Sequence, residues 1–524
     1  MSGQIGRREV LGGAAALGVS LALAPAVIAQ AAATQYRFVA GRLRSPTQLG
    51  LVRAEQAYSA HKVAFVSPDY PTNRFRVAYA GHYFDPELSR ELAMPAPYEI
   101  EGLSLQAYLD GRWVVAHGGF AGRDGVLVEP GIGVLSDDVV FPDAVPPNTP
   151  MASVLAIKAV GGQHLPVNSR ARVGTDEGAV GSARQSQIGQ LGVGGALRGD
   201  DGRFGGRLVT PAFIVGVGGE RPVFWVDGDS IGYGKNGNEN ELTGPDFHDG
   251  TGALGFIAMA LEERWRSQRL AFGMSCVPGV RFGERGSRAN WAQQLGLIRL
   301  VPNRPYTHII SQHGNSGPDG EYEAAFRPAM QRYYAQMAAE SAAWGDAPTP
   351  IYQTRSLPRP GVWPVSLAAQ NPSAAPLASA VRWAFDADLV AGRFAELAGS
   401  IPTSTYYGYD QAAHRDKIAV PEFSAVVSKT CAAGEREVAL SARPAVGDFL
   451  LFGASENLGA HVVSVTNSEP VVVRLERSFG QEIAAGISVQ AVLAADGAGL
   501  HPSSAGHGRI AAAMVDWKAA VFGS

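Results

Sequence analysis

FWVDGDSIGYG, running from Phe224 to Gly234, sets three apolar residues against a polar, glycine-rich turn. Phe224, Trp225 and Val226 read as the end of a buried strand. Asp227, Gly228, Asp229 and Ser230 follow at once, and Gly232 and Gly234 come next. Glycines around a serine allow a sharp turn and a close approach by another molecule. A serine hydroxyl is a weak nucleophile unless a base is placed to take its proton. The stretch therefore raises the question of where an imidazole lies. Alone, Gly-Asp-Ser is also ordinary turn chemistry, because Asx and Ser turns use the same residues.

Outward from this stretch the chain alternates strands with helices. PVFWV is followed by a long loop and a helical pattern from Ala253 to Trp265. Then come the strand RLAFGM, a helix through WAQQLGLI and the strand YTHIISQ, which leads into HGNSGPDG. The helix EYEAAFRPAMQRYYAQMAAESAAW, the strand PIYQTRSL and a helix around PLASAVRWAFDADLVAGRF complete the series. Such alternation predicts a parallel sheet covered on both faces. In such sheets functional groups gather at the carboxyl ends of the strands. The last segment, SSAGHGRIAAAMVDWKAAVF, reads as a closing helix with Ala511, Met514, Val515 and Trp517 as packing residues.

Two other regions break this rhythm. Residues 35 to about 220 carry short alternating runs, among them HKVAFVS, NRFRVAYAG and MASVLAIKAV, split by Gly, Pro, Asn and Asp. Period-two alternation with such punctuation predicts antiparallel strands, packaged as a β-sandwich. Residues 166–207, rich in Gly, Arg, Ser and Gln, read as a long loop. Residues 421–494 hold consecutive strand-like runs (SAVVSK, EREVALSA, GDFLLFG, HVVSVTN, PVVVRLE, ISVQAVLA) and read as a small β insertion.

The chain has 524 residues, 46% hydrophobic and 18% charged, with a formal net charge of −4. This is a globular composition, and it lacks the basic stripe of a nucleic-acid binder. Near the N-terminus Arg7 and Arg8 precede a weakly apolar run from Val10 to Ile28, then a small-x-small site at Ala29-Gln30-Ala31. This is the shape of an export signal of the twin-arginine kind, cleaved near Ala32. It predicts a periplasmic or secreted protein with no membrane span after processing. Cys276 and Cys431 are too few and too far apart for a disulfide framework and read as buried thiols. No Cys/His spacing resembles a zinc site. NGNENELTGPDFHDG, with Asp246, His248 and Asp249, has no defined ligand geometry and reads as a solvated loop. No metal and no cofactor are expected.

Three stretches carry candidate chemistry. Ser230 follows the first strand of the α/β region. Asn315, in HGNSG, follows the strand YTHII, where a carboxamide donor can stabilise an oxyanion. His501, in HPSSAGHGRIA, precedes the closing helix, and imidazole is the natural base at neutral pH. His507 lies inside that helix and reads as packed or solvent-facing. Asp227 and Asp229 read as acceptors for loop N–H groups. The G-x-S-x-G elbow of other hydrolases is absent.

Taken in order, GDSIGYG, the loop after RLAFGM, HGNSG and GLHPSSAGHGRIA resemble the blocks of the SGNH hydrolases, the GDSL esterase/lipase family. The resemblance spans roughly residues 221–420 and 494–522 and leaves residues 35–220 unexplained. It implies a three-layer, flavodoxin-like α/β domain. It also implies Ser230 as nucleophile, His501 as base, and Asn315 with the Ser230 backbone N–H as oxyanion donors. The chain departs from the family in three places. The second block reads GMSCVPGV, so the glycine whose N–H the family uses is replaced by Cys276, or its role passes to Gly279. The third block has His313 where the family has glycine, and only Asn315 is retained. Where the family places an aspartate ahead of the histidine, this chain has Ala498. Either Asp496 reaches the ring through a bulge at Gly497 and Gly499, or the site is a Ser–His dyad with a backbone carbonyl holding the imidazole.

The resulting expectation is a chain in five parts: an export signal (1–31), a β-sandwich-like domain (32–220), the first part of the α/β domain (221–420), a β-rich insertion (421–494) and a last part carrying the histidine (495–524). The resemblance implies an exported serine esterase acting on small-molecule or glycan esters, with carbohydrate O-acetyl groups as one class. A lipase or general carboxylesterase is the nearest alternative. An inactive glycan-binding protein on the same scaffold is the rival from another class.

Overall fold

The computed structural model describes residues 35–523 apart from 41–45, 53–56, 159–160, 168–177, 183–207, 235–254, 264–267, 281–287, 315–320, 346, 358–375, 404–406, 411–414, 419–422, 445–447, 454–457, 476–477, 493–501 and 503. All of them belong to one compact unit, Gln35–Ser524. The segment 1–31, expected to be an export signal, lies outside the described residues. Among the described residues no helix is long and apolar enough to cross a membrane.

The N-terminal region is rich in strands. One antiparallel sheet joins Tyr36–Phe38, Phe213–Val217 and Thr72–Tyr79, and both Val134–Leu135 and Val139–Val145 pair with the last of these. A second joins Gly178–Ser182, Tyr58–Val66, Pro150–Lys158, Tyr98–Leu109 and Arg112–Gly118. The two share a core: Phe75, Val77 and Ile214 from the first sheet are buried with Phe65, Leu105 and Met151 from the second. The strand Gly178–Ser182 falls within the stretch read from sequence as loop. It is held by pairing with Tyr58–Val66, and a glycine-rich edge strand carries no period-two signature of its own.

Among the described residues the parallel sheet has five strands: β1 (Phe224–Asp227), β2 (Phe272–Met274), β3 (His308–Ser311), β4 (Ile351–Thr354) and β5 (Gly399–Ile401), in the order β2-β1-β3-β4-β5. Every pairing is parallel. The helices are α1 (Ser230–Tyr233), α2 (Gly255–Glu262), α3 (Ala292–Ile298), α4 (Arg327–Ala342), α5 (Pro376–Val390) and α6 (Ser504–Phe522). A parallel strand buried on both faces needs an unbroken apolar run, and β1 has one. Trp225 points into a core with Trp291, just before α3, and with Ile309, Tyr333 and Phe385 from β3, α4 and α5. Its neighbours Phe224 and Val226 point into the opposite core with Ile257, Met514 and Val515 from α2 and α6. Ala511 and Trp517, anticipated from the helical spacing, pack in that same core.

The first of these cores is not confined to the α/β region. Tyr36, Phe38, Ala78, Phe213 and Val215, on the outer face of the first N-terminal sheet, are buried in it beside Trp225 and Tyr306. Phe213 and Val215 point one way and Ile214 the other, so one strand serves two cores. The strand-rich region and the parallel sheet are thus welded along a shared apolar layer.

Residues 423–492 form a closed antiparallel barrel. Its order is Ser424–Lys429, Glu437–Leu440, Val471–Leu475, Gly459–Val465, Phe449–Phe452 and Ser488–Val492, which returns to the first strand. Val427, Leu440, Leu450, Phe452, Val462 and Val473 fill the interior. Closure removes the edges that six short strands would otherwise present to other chains.

Candidate active site

In an open sheet of order β2-β1-β3-β4-β5 the chain changes winding direction between β1 and β3. Ligands bind outside the carboxyl ends of the strands at such a point. Both leading motifs leave the sheet there: Ser230 directly after β1 and Gln312-His313-Gly314 directly after β3. Ser230 is the first residue of α1, a single helical turn where the sequence predicts loop. Asp229 caps it, its Oδ1 accepting the Ile231 N–H at 2.8 Å. Gly234 ends it in the left-handed conformation, φ 85°. Ser230 itself is partly exposed, whereas Asp227, Asp229, Ile231 and Tyr233 around it are buried.

Gln312 holds this turn from the side of β3. Its Oε1 accepts the N–H groups of Asp229 at 2.9 Å and Gly232 at 2.8 Å. The turn can sit so close only because residues 228 and 232 lack side chains. A β-carbon at Gly232 would lie 2.7 Å from Gln312 Oε1 and 2.8 Å from Cys276 Sγ. One at Gly228 would meet the same two groups at 2.6 and 3.0 Å. The glycines of GDSIGYG therefore permit close approach by the protein's own Gln312 and Cys276.

Below the turn lies a buried polar network. Asp227, which ends β1, accepts at Oδ2 from the hydroxyl of Tyr333 on α4 at 2.8 Å and contacts His313 Nε2 at 3.1 Å. The His313 ring meets the Tyr333 ring edge-on, 5.1 Å between centroids. The His313 carbonyl accepts from Gln353 Nε2 on β4, and Gln353 Oε1 accepts the Tyr334 hydroxyl at 2.9 Å. The carboxylate of Asp229 bonds a loop N–H, as its turn position suggested. That of Asp227 instead faces a tyrosine and a histidine far away in sequence. Turn chemistry is local, and an end-of-strand aspartate gives no sign of what a distant helix will offer it.

Cys276 lies at the second candidate block. Its side chain is fully buried, its sulfur under the glycines of the serine turn. Val277 N–H donates to Gly228 O at 3.1 Å, tying this loop to the turn. Ser275 Oγ accepts from Trp225 Nε1 and Gln294 Nε2 at 2.6 and 2.7 Å. Gly279, the rival donor, is exposed and lies at φ 81°. Its carbonyl accepts from Ser89 Oγ at 2.8 Å, and Phe84 clusters with Val277 and Val280. The hairpin His82–Asp85/Arg90–Ala93 of the N-terminal region thus buttresses this loop. Both cysteines are buried thiols in separate cores.

A further polar group sits beside the third block. Asp386, on α5, accepts Ser356 N–H at 2.8 Å, and burial pushes its carboxyl up to about 7. Gly314 turns here with φ 130°. A β-carbon on it would lie 2.8 Å from the Phe385 ring and 3.5 Å from Ser356 Oγ. Only glycine takes that conformation without strain. The sequence reading missed Asp386, Gln312 and the partner of His313. Gln312 stands close before Asn315 in the chain and Asp227, which faces His313, ends β1, but nothing local marks either contact.

His507 is fully buried; its Nδ1 accepts the Phe256 N–H at 3.2 Å, and its ring stacks on Phe256. It is a packing residue joining α6 to α2. Asn315, Asp496, His501 and the loop with Asp246, His248 and Asp249 lie outside the described residues. Among the described residues no group of His, Cys, Asp and Glu could hold a metal ion.

No family model matches the chain, and no curated protein matches it. One similar solved structure is described as "The active site of a carbohydrate esterase displays divergent catalytic and non-catalytic binding functions". It is 10% identical, and the match covers 71% of this chain and 93% of that one at a TM-score of 0.21. Likeness at that level carries no argument about fold or chemistry.

Proposed function

We propose that the chain is an exported serine esterase of the SGNH type, with a flavodoxin-like catalytic domain. The observation that carries this reading is the position of Ser230. It is partly exposed on a capped turn at the carboxyl end of β1, beside the point where the strand order reverses. Ser230 attacks an ester carbonyl, His501 takes the hydroxyl proton and passes it to the leaving alcohol, and water then releases the acid. Asn315, the Ser230 N–H and an N–H from Cys276 or Gly279 stabilise the oxyanion. Asp496 or a backbone carbonyl orients the imidazole. The substrate class is an ester of a small molecule or glycan, carbohydrate O-acetyl groups included, met in the periplasm or outside the cell. No cofactor takes part.

The test is p-nitrophenyl acetate hydrolysis by the wild type, Ser230→Ala and His501→Ala. Loss of turnover in both variants supports the reading. Equal rates in all three proteins would instead favour a glycan-binding protein on the same scaffold.

A further inference from the structure

We propose that Asp227 and His313 are a positioning pair, which holds the loop after β3 against the turn that carries Ser230. This inference rests on the esterase reading. His313 stands where the resemblance expects glycine, and Asp227 ends the strand that leads to the serine. Their side chains meet at 3.1 Å with exposures of 1% and 0%. A buried carboxylate is costly unless well compensated, and well-packed apolar groups of similar volume are often as stable. A pair kept at such a place serves geometry better than stability.

The connections show which geometry. Asp227 Oδ2 takes Tyr333 from α4 and His313 from the loop after β3, so one carboxylate ties three elements together. Gln353 on β4 holds the His313 carbonyl, so that loop is gripped by both side chain and backbone. One residue earlier, Gln312 binds the turn that carries Ser230. One residue later, Gly314 takes φ 130°. Two consecutive residues, 312 and 313, thus fix the nucleophile's turn and anchor the loop. Donors for a developing oxyanion act only when preorganised, and misplacement by about 1 Å can cost about a hundredfold in rate.

The test uses the full chain as Asp227→Ala, Asp227→Asn, His313→Ala, His313→Gln and the double alanine variant. Two measurements are made: p-nitrophenyl acetate kinetics, and amide hydrogen exchange over residues 228–232 and 311–314. Each alanine variant should lower kcat by about tenfold to a hundredfold with KM little changed. The double variant should be no slower than the worse single one. His313→Gln, which keeps an N–H donor toward Asp227, should recover most of kcat. Exchange in the serine turn should quicken in His313→Ala. Multiplicative losses in the double variant, a change confined to KM, or undisturbed exchange in the turn would each overturn the pair. If Ser230→Ala leaves the wild-type rate unchanged, the esterase reading fails separately, and the exchange measurement alone still decides whether residues 227 and 313 are coupled to the turn.

Discussion

The ring of Phe38 lies against the backbone of Gly273, so close that a β-carbon at 273 would stand 2.8 Å from its Cδ2. Phe38 also meets Phe213 edge-on and stacks on Tyr306, with ring centroids 5.4 and 6.2 Å away. Its N–H donates to Pro305 O at 2.9 Å. The first strand of the N-terminal region is in this way inserted among residues of the parallel sheet.

Phe38→Ala should therefore destabilise the whole chain, by about 3–5 kcal/mol for a large buried ring, in urea-induced unfolding. A fragment of residues 35–220 would leave Phe38, Phe213 and Val215 without Trp225 and Tyr306. It should show no cooperative transition. A sharp, reversible melt of that fragment would contradict the shared core.

Gly232→Ala should abolish any Ser230-dependent turnover, since its β-carbon would press on Gln312 and Cys276. Gln312→Ala tests the other side of that contact. It leaves two buried N–H groups, on Asp229 and Gly232, without their acceptor, at a cost of about 1–3 kcal/mol each. Denaturant titration should register the loss, and a wild-type midpoint would rule out the Gln312 clamp.

Acid should weaken the fold through its buried histidines. Burial pushes His61 down to about 3 and His82 down to about 4, from an ordinary value of 6.5. The Glu91 carboxylate faces His82 at 3.7 Å, outside hydrogen-bond reach, and burial prevails. Below pH 6.5 the unfolded chain binds protons that the folded chain refuses. Stability then falls as pH drops from 6.5 toward 4, by up to about 1.4 kcal/mol per pH unit for each histidine. Asp386 acts with the opposite sign. Held protonated up to about 7 when folded, against 3.8 otherwise, it favours the folded state most at low pH and offsets about one histidine across this window. Urea midpoints at pH 7, 6 and 5 should fall in the wild type, fall less steeply in His82→Leu, where His61 and the half-buried His308, pushed down to about 4, still resist protonation, and fall more steeply in Asp386→Asn. The His82 ring nitrogens are buried without hydrogen-bond partners, so His82→Leu should also gain stability at low pH.

The barrel should be removable. Its first and last strands pair side by side, Ser424 opposite Gln490, so the chain enters and leaves at neighbouring points. Its core is its own. Replacing residues 423–492 with a short Gly/Ser linker should leave the circular dichroism of the remaining α/β and N-terminal layers cooperative on heating. A molten profile would mean that the barrel supports the sheet.

Much of the architecture is legible in the chain itself. Phe224-Trp225-Val226 reads as a strand buried on both faces because the run is unbroken, and the helix ending the chain announces its packing face through Ala511, Met514, Val515 and Trp517. The barrel strands are each visible, but their closure rests on pairing Ser424–Lys429 with Ser488–Val492 across the whole segment. The strand Gly178–Ser182 is invisible for the same reason: its partner, not its own composition, makes it a strand.

The serine turn divides along the same line. Local chemistry alone settled that the chain turns soon after Val226, that Asp229 accepts a nearby N–H and that Ser230 stands at a strand's carboxyl end, because capping and apolar runs act over a few residues. Only the tertiary structure decided that Gly228 and Gly232 make room for Gln312 and Cys276, that Asp227 answers His313 and Tyr333, and that the strand-rich region shares a core with the parallel sheet. Those contacts join residues far apart in the chain. Their energy comes from close packing and from satisfying polar groups removed from water, neither of which is encoded in any short window of sequence.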